Sequence, residues 1–115
     1  MNNGIFKPGQ SVFIGISDIK EKKTLLTGIE EAMTGDAGKL LHPIQKAKFS
    51  TDIQNQILLE IDQQGDVYFI CSLIDVLVDF WPDDALFVFQ KIDPQGNKTL
   101  INKINLAKYR ISGKR

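Results

Sequence analysis

The longest apolar stretch of the chain limits what it can fold into. It extends from Val67 to Trp81 and is interrupted by one serine and two aspartates. A helix that crosses a membrane needs about 20 consecutive apolar residues, so the stretch predicts a buried core segment and no membrane insertion. Apolar side chains occupy almost every position of its first half. We therefore interpret residues 67–80 as a long strand that bends near its middle.

Shorter segments of the same kind occur along the rest of the chain. In residues 56–62, every second residue from Ile57 to Ile61 is apolar, and this spacing predicts a half-buried strand. Turn-forming sequences separate the segments, most clearly in residues 93–97, where proline, glycine and asparagine occur together. Further strands are predicted at residues 12–16, 24–29, 39–42, 86–92 and 98–106.

Six or seven short strands, spaced about ten residues apart, predict an all-β fold, an antiparallel barrel or sandwich with little helix. Residues 29–33 and 51–56 are the two places where a helix is the alternative, but neither shows 3.6-residue periodicity over enough length. The chain has 115 residues, of which 43% are apolar, enough for one domain. We place this domain at residues 1–107 and a basic flexible tail at residues 108–115.

The chain contains one cysteine, Cys71, and one histidine, His42. These counts exclude a disulfide framework, a zinc site with several thiolates and any metal site with two imidazoles. An unpaired cysteine and the lack of a targeting pattern predict a cytoplasmic protein. We expect neither a metal nor a cofactor.

The residues that could carry catalysis have simpler interpretations. His42 precedes a proline at a predicted strand end. Cys71 lies on the face of its predicted strand that points to the core. Glycine-rich motifs that bind phosphate groups are absent. The sequence therefore predicts that the protein is not an enzyme. Four neighbouring carboxylates match no calcium loop and fit a solvated strand face and a turn: Asp75, Asp79, Asp83 and Asp84.

Charge is distributed unevenly along the chain, although the net charge is zero. Residues 52–93 have a net charge of −8, and residues 94–115 have a net charge of +6. Basic side chains can bind phosphate groups of a nucleotide or a nucleic acid. The candidate ligand-binding residues are accordingly Lys108, Arg110, Lys114 and Arg115.

The order of these segments resembles the N-terminal domain of the flagellar-brake (YcgR-type) proteins, which precedes a PilZ domain. The resemblance covers residues 6–93. It rests on a glycine turn leading into a strand (residues 7–14), a short strand that meets a proline (residues 40–44) and a strand, acidic hairpin and aromatic strand in succession (residues 57–70). It implies that the barrel is a small split β-barrel.

The PilZ domain that comes next in this family opens with an R-x-x-x-R element, which binds cyclic di-GMP. Here Arg110 and Lys114 have this spacing, with lysine in place of the second arginine. Arg110 can also be aligned with the second arginine, and Leu106 then stands at the first position. Lysine lacks the planar fork that makes two parallel hydrogen bonds, and no [DN]-x-S-x-x-G motif comes after it. The nucleotide motif is therefore incomplete.

The resemblance implies a non-enzymatic protein-interaction module of bacterial cyclic di-GMP signalling or flagellar motility control, whose partner is a PilZ domain or a motility component. We predict Trp81, beside a proline turn, and Tyr68 as its partner-binding residues. The alternative is binding of cyclic di-GMP or nucleic acid through the basic tail. Open barrel edges are also compatible with a homodimer, which the sequence alone does not decide. A flavin enzyme is a third hypothesis, which rests on fold analogy alone.

Overall fold

A computed structural model describes residues 11–113 of the chain. Within this range 76% of the residues are helical and no strand occurs. The six helices of this range are α1 (Ile19–Met33), α2 (Gly35–Leu40), α3 (Pro43–Asp62), α4 (Val67–Phe80), α5 (Pro82–Phe89) and α6 (Lys98–Gly113).

The prediction of an all-β split barrel is therefore wrong, and so is each of its strands in the described range. Residues 24–29 belong to α1, residues 56–62 to α3, residues 67–80 to α4 and residues 98–106 to α6. Most of residues 86–92 belongs to α5, and residues 39–42 contain the end of α2. Residues 12–16 form turns, in which the Ile14 N–H donates to the Ser11 carbonyl at 3.1 Å. The predicted turn at residues 7–10 lies outside the described residues.

The burial of α4 on several sides explains why its sequence was interpreted as a strand. Its buried residues include Phe69, Ile70, Leu73, Ile74 and Leu77, which are separated by one, three, one and three positions. That spacing is typical of one helix face. Other sides of α4 are buried as well, so apolar residues occupy most positions, and alternation cannot be distinguished from helical periodicity.

Polar residues at the helix starts fix where the helices begin. The Asp18 carboxylate accepts the Glu21 N–H at 3.2 Å at the start of α1. The Asp66 carboxylate accepts the Tyr68 N–H at 2.8 Å at the start of α4. Such bonds satisfy backbone donors that have no partner within the helix. The acidic hairpin expected between residues 57 and 70 is therefore the boundary between α3 and α4.

The described chain divides into two compact units, and the division falls within α3, between Asp52 and Ile53. In the first unit α1 packs against α2. In the second unit α4 packs against both α5 and α6. The core residues of the second unit include Ile57, Phe69, Leu73, Leu77 and Val88, all almost completely buried.

A buried carboxylate connects two segments of the first unit. Asp52 of α3 is only 3% exposed. One of its oxygens accepts the Lys48 ammonium at 2.9 Å and the Val12 N–H at 3.2 Å. The hydrogen bond from Val12 therefore connects the segment that precedes α1 to the middle of α3.

None of the helices within residues 11–113 is long and apolar enough to cross a membrane.

Candidate functional site

Three ion pairs join α4 and α6 on the surface of the second unit. The Lys103 ammonium lies 2.6 Å from an oxygen of Asp75. The Arg110 guanidinium lies 2.8 Å from an oxygen of Asp79 and 3.7 Å from Asp75. All four side chains are partly exposed, and exposed ion pairs of this kind add at most about 1 kcal/mol each. Their main effect is to fix the positions of the charges.

The direction of the two helices brings these charges together. The first turns of α4 and α6 line the same cavity, with Val67 and Leu100 among its walls. Near the other end of α4, Asp79 contacts Arg110 near the other end of α6. The two helices therefore run in the same direction. Part of the acidic middle of the sequence neutralises part of its basic end within one unit.

The side of α6 that faces away from the core carries apolar groups. Leu100, Ile104, Ala107 and Ile111 form its buried side. We define the α6 outer face as the exposed residues Asn102, Asn105, Leu106 and Tyr109. Of these, Leu106 is 60% and Tyr109 is 80% exposed. They lie three positions apart, on successive turns of the same helix side.

The charge beside the α6 outer face is positive. Lys108 is exposed next to Tyr109, and α6 contains three lysines, one arginine and no acid. Asp75 and Asp79 neutralise only the edge that faces α4. The α6 outer face thus combines exposed apolar side chains with a positive charge beside it.

The predicted ligand-binding residues do not form one cluster among the described residues. Arg110 binds two carboxylates of α4, which occupy the fork that a phosphate group would use. Lys108 lies beside Tyr109, at an exposed position of α6. Residues 108–113 belong to α6. Lys114 and Arg115 lie outside the described residues.

The two predicted partner-binding residues differ in exposure. Tyr68 is 72% exposed and lies on the same side of α4 as Asp75 and Asp79, by its helical spacing. Trp81 is half-buried at the corner between α4 and α5. Its ring meets Phe80 edge to face, with 5.9 Å between the ring centroids.

The residues considered for catalysis remain apart. His42 is exposed before α3, and its Nδ1 accepts the Ile44 N–H at 3.1 Å. Cys71 is half-buried in α4, and burial raises the pKa of its thiol, which disfavours the reactive thiolate. Within residues 11–113, no group of three or more histidine, cysteine, aspartate or glutamate side chains could hold a metal ion.

Sequence reasoning missed the pairing of the acidic and basic segments and the exposure of Leu106. The signal was present in the helical spacing: Asp75 and Asp79 are four positions apart, and Lys103 and Arg110 are seven apart. Each pair lies on one side of a helix. The strand interpretation hid this relation.

Comparison with known proteins gives no relative for this chain. No family model, no curated protein and no solved structure matches it. The comparisons therefore do not identify a flagellar-brake domain.

Proposed function

We propose that this protein is a non-enzymatic interaction module, which binds a protein partner through the α6 outer face. The observation that supports the proposal is the exposure of Leu106 and Tyr109 on successive turns of α6. Exposed aromatic side chains that a partner can bury supply much of the binding energy of protein interfaces. Amphipathic helix faces are a common form of such contacts.

The charges around the α6 outer face indicate which chemical groups a partner would carry. Lys108 lies beside Tyr109, and α6 has no acid of its own. A partner segment with apolar and acidic side chains would therefore match the α6 outer face in both packing and charge. Tyr68 of α4 is the exposed one of the two anchors that the sequence predicts.

The resemblance to a domain of bacterial motility control adds nothing further to this proposal. Its strand at residues 67–70 lies in α4, and its strand at residues 57–61 lies in α3. We therefore propose a protein-interaction function without assigning a pathway. Cyclic di-GMP binding is the alternative, and Arg110 argues against it because its guanidinium is held by Asp75 and Asp79.

Selection of peptides from a random library on the immobilised protein tests the proposal. We expect the selected peptides to be rich in apolar and acidic residues. A double substitution, Leu106→Ala with Tyr109→Ala, should weaken their binding about 30-fold or more, as expected for the loss of interface hot spots. Leu40→Ala, at an exposed leucine of α2, is the matched control and should leave the affinity unchanged.

Two results would contradict the proposal. One is peptide binding that is insensitive to the double substitution. The other is micromolar binding of cyclic di-GMP that Arg110→Ala abolishes, since this would favour the phosphate-binding alternative. We expect no heat of binding when cyclic di-GMP is titrated into the protein.

A further inference from the structure

A cavity of about 290 Å³ lies in the second unit, where α3 ends and where α4 and α6 begin. Its volume is near the lower limit of ligand pockets, which span roughly 300–1,000 Å³. The cavity is thus large enough for one small ring and too small for a peptide. Five of its lining residues have apolar side chains: Ile61, Val67, Ile70, Pro94 and Leu100.

Three of the residues that line this cavity carry carboxamide side chains. These are Gln64, Gln95 and Asn97, and Gly65 lines the cavity as well. No charged side chain of the described residues lines it. A carboxamide offers a hydrogen-bond donor and an acceptor side by side. Such groups match a ligand edge that also presents a donor next to an acceptor.

Two of these carboxamide residues have a left-handed backbone conformation, which another residue type would adopt more easily. Gln64 has a φ of +55° and Gln95 a φ of +54°, and no other described residue except glycine has a positive φ. Gln64 lies at the end of α3, where the Gly65 N–H donates to the Glu60 carbonyl at 2.7 Å. Gln95 lies in the turn in which the Asn97 N–H donates to the Pro94 carbonyl at 2.9 Å.

Glycine or asparagine adopts this left-handed conformation more easily than glutamine. The energy of the local backbone therefore does not explain why glutamine occurs at these two positions. Both positions lie at the same cavity. Uncommon backbone conformations at a shared cavity are a recognised feature of binding sites.

We propose that this cavity binds a small neutral molecule through an edge that presents a donor next to an acceptor, such as a carboxamide or the edge of a nucleobase. The carboxamides of Gln64 and Gln95 bind this edge, as glutamine does when it recognises adenine. The apolar residues of the lining contact the rest of the molecule. The site is independent of the α6 outer face.

Titration followed by backbone amide signals in NMR spectra tests this proposal with three probes. Nicotinamide carries a carboxamide, adenine carries a nucleobase edge, and nicotinate replaces the carboxamide by a charged carboxylate. We expect saturable shifts at Val67, Ile70 and Leu100 with nicotinamide or adenine. Nicotinate should bind at least about tenfold more weakly, because its charge finds no partner in the lining.

Gln64→Gly and Gln95→Gly separate binding from folding. Each removes a carboxamide and relieves a left-handed backbone, so the melting temperature should stay the same or rise by a few degrees. Each should weaken probe binding several-fold. Gln63→Ala, an exposed neighbour that does not line the cavity, should leave binding unchanged.

The outcome with each probe decides the matter. Saturation by nicotinamide identifies a carboxamide as the ligand group, and saturation by adenine identifies a nucleobase. The proposal is overturned if neither probe saturates the signals, if nicotinate binds as tightly as nicotinamide, or if both glycine variants keep the wild-type affinity.

Discussion

Replacing Asp52 by alanine is expected to lower the free energy of unfolding by about 3 kcal/mol, the lower end of the cost of breaking a buried ion pair. The substitution takes the Asp52 carboxylate away from the partly buried Lys48 ammonium and removes the acceptor of the Val12 N–H. A buried polar group that loses its partner is still removed from water, and the free energy of this desolvation is no longer offset by a hydrogen bond. Urea denaturation monitored by circular dichroism measures the change.

Two further substitutions identify the source of this loss. Asp52→Asn keeps an acceptor for the Val12 N–H and removes only the charge, so its loss should be smaller than that of Asp52→Ala. Asp62→Ala removes an exposed carboxylate from the same helix and should change the stability by no more than about 0.5 kcal/mol. If Asp52→Ala were as stable as Asp62→Ala, the described contacts of Asp52 would not stabilise the protein.

Replacing Ser72 by proline is expected to destabilise the protein by about 3 kcal/mol or more. Ser72 lies in the interior of α4, and its hydroxyl donates to the Tyr68 carbonyl at 3.1 Å. Proline at this position removes a helical N–H donor, and its ring collides with the same carbonyl. The side chain itself is exposed, so the loss would come from the backbone. Thermal and urea denaturation measure it.

Ser72→Ala is the matched control for this prediction. Alanine keeps the backbone donor and has a higher helix propensity than serine, so stability should stay the same or increase by about 0.5 kcal/mol. Equal stability of the proline and alanine variants would contradict the helical assignment of residues 67–80.

Turn-forming residues were recognised from the sequence, but their role was not. Residues 93–97 do form a turn, in which the Asp93 carboxylate accepts the Gln95 N–H at 3.0 Å. Asn97 then accepts the Leu100 N–H at 3.0 Å and begins α6. Asp66 begins α4 in the same way. Aspartate and asparagine favour both turns and helix starts, so they mark a boundary without showing whether a strand or a helix begins there.

Alternation in residues 56–62 misled the fold prediction for a physical reason. Ile57, Leu59 and Ile61 were expected to point to one side. In α3 Ile57 is completely buried, whereas Leu59 is 45% exposed and Glu60 is 3% exposed. Glu60 is buried next to Gln56, whose amide donates to it at 2.6 Å. Two polar side chains four positions apart in a helix can be buried together when they bond to each other. A prediction that assigns every polar residue to the solvent side is then wrong.

The candidate interaction surface could be foreseen only in part. Tyr68 was singled out from the sequence and is exposed, but Leu106 was interpreted as part of a strand. The position of Arg110 beside Asp79 depends on the parallel course of α4 and α6, which no local pattern shows. Contacts between residues that are far apart in sequence depend on the packing of helices.

The secondary chemical shifts of the Cα atoms in an NMR spectrum test the helical fold most directly, because they report on each residue separately. We expect positive values, typical of helix, throughout residues 43–62, 67–80 and 98–113. Negative values in residues 56–62 and 67–80, typical of strands, would contradict the fold described above, together with the surface and the cavity derived from it.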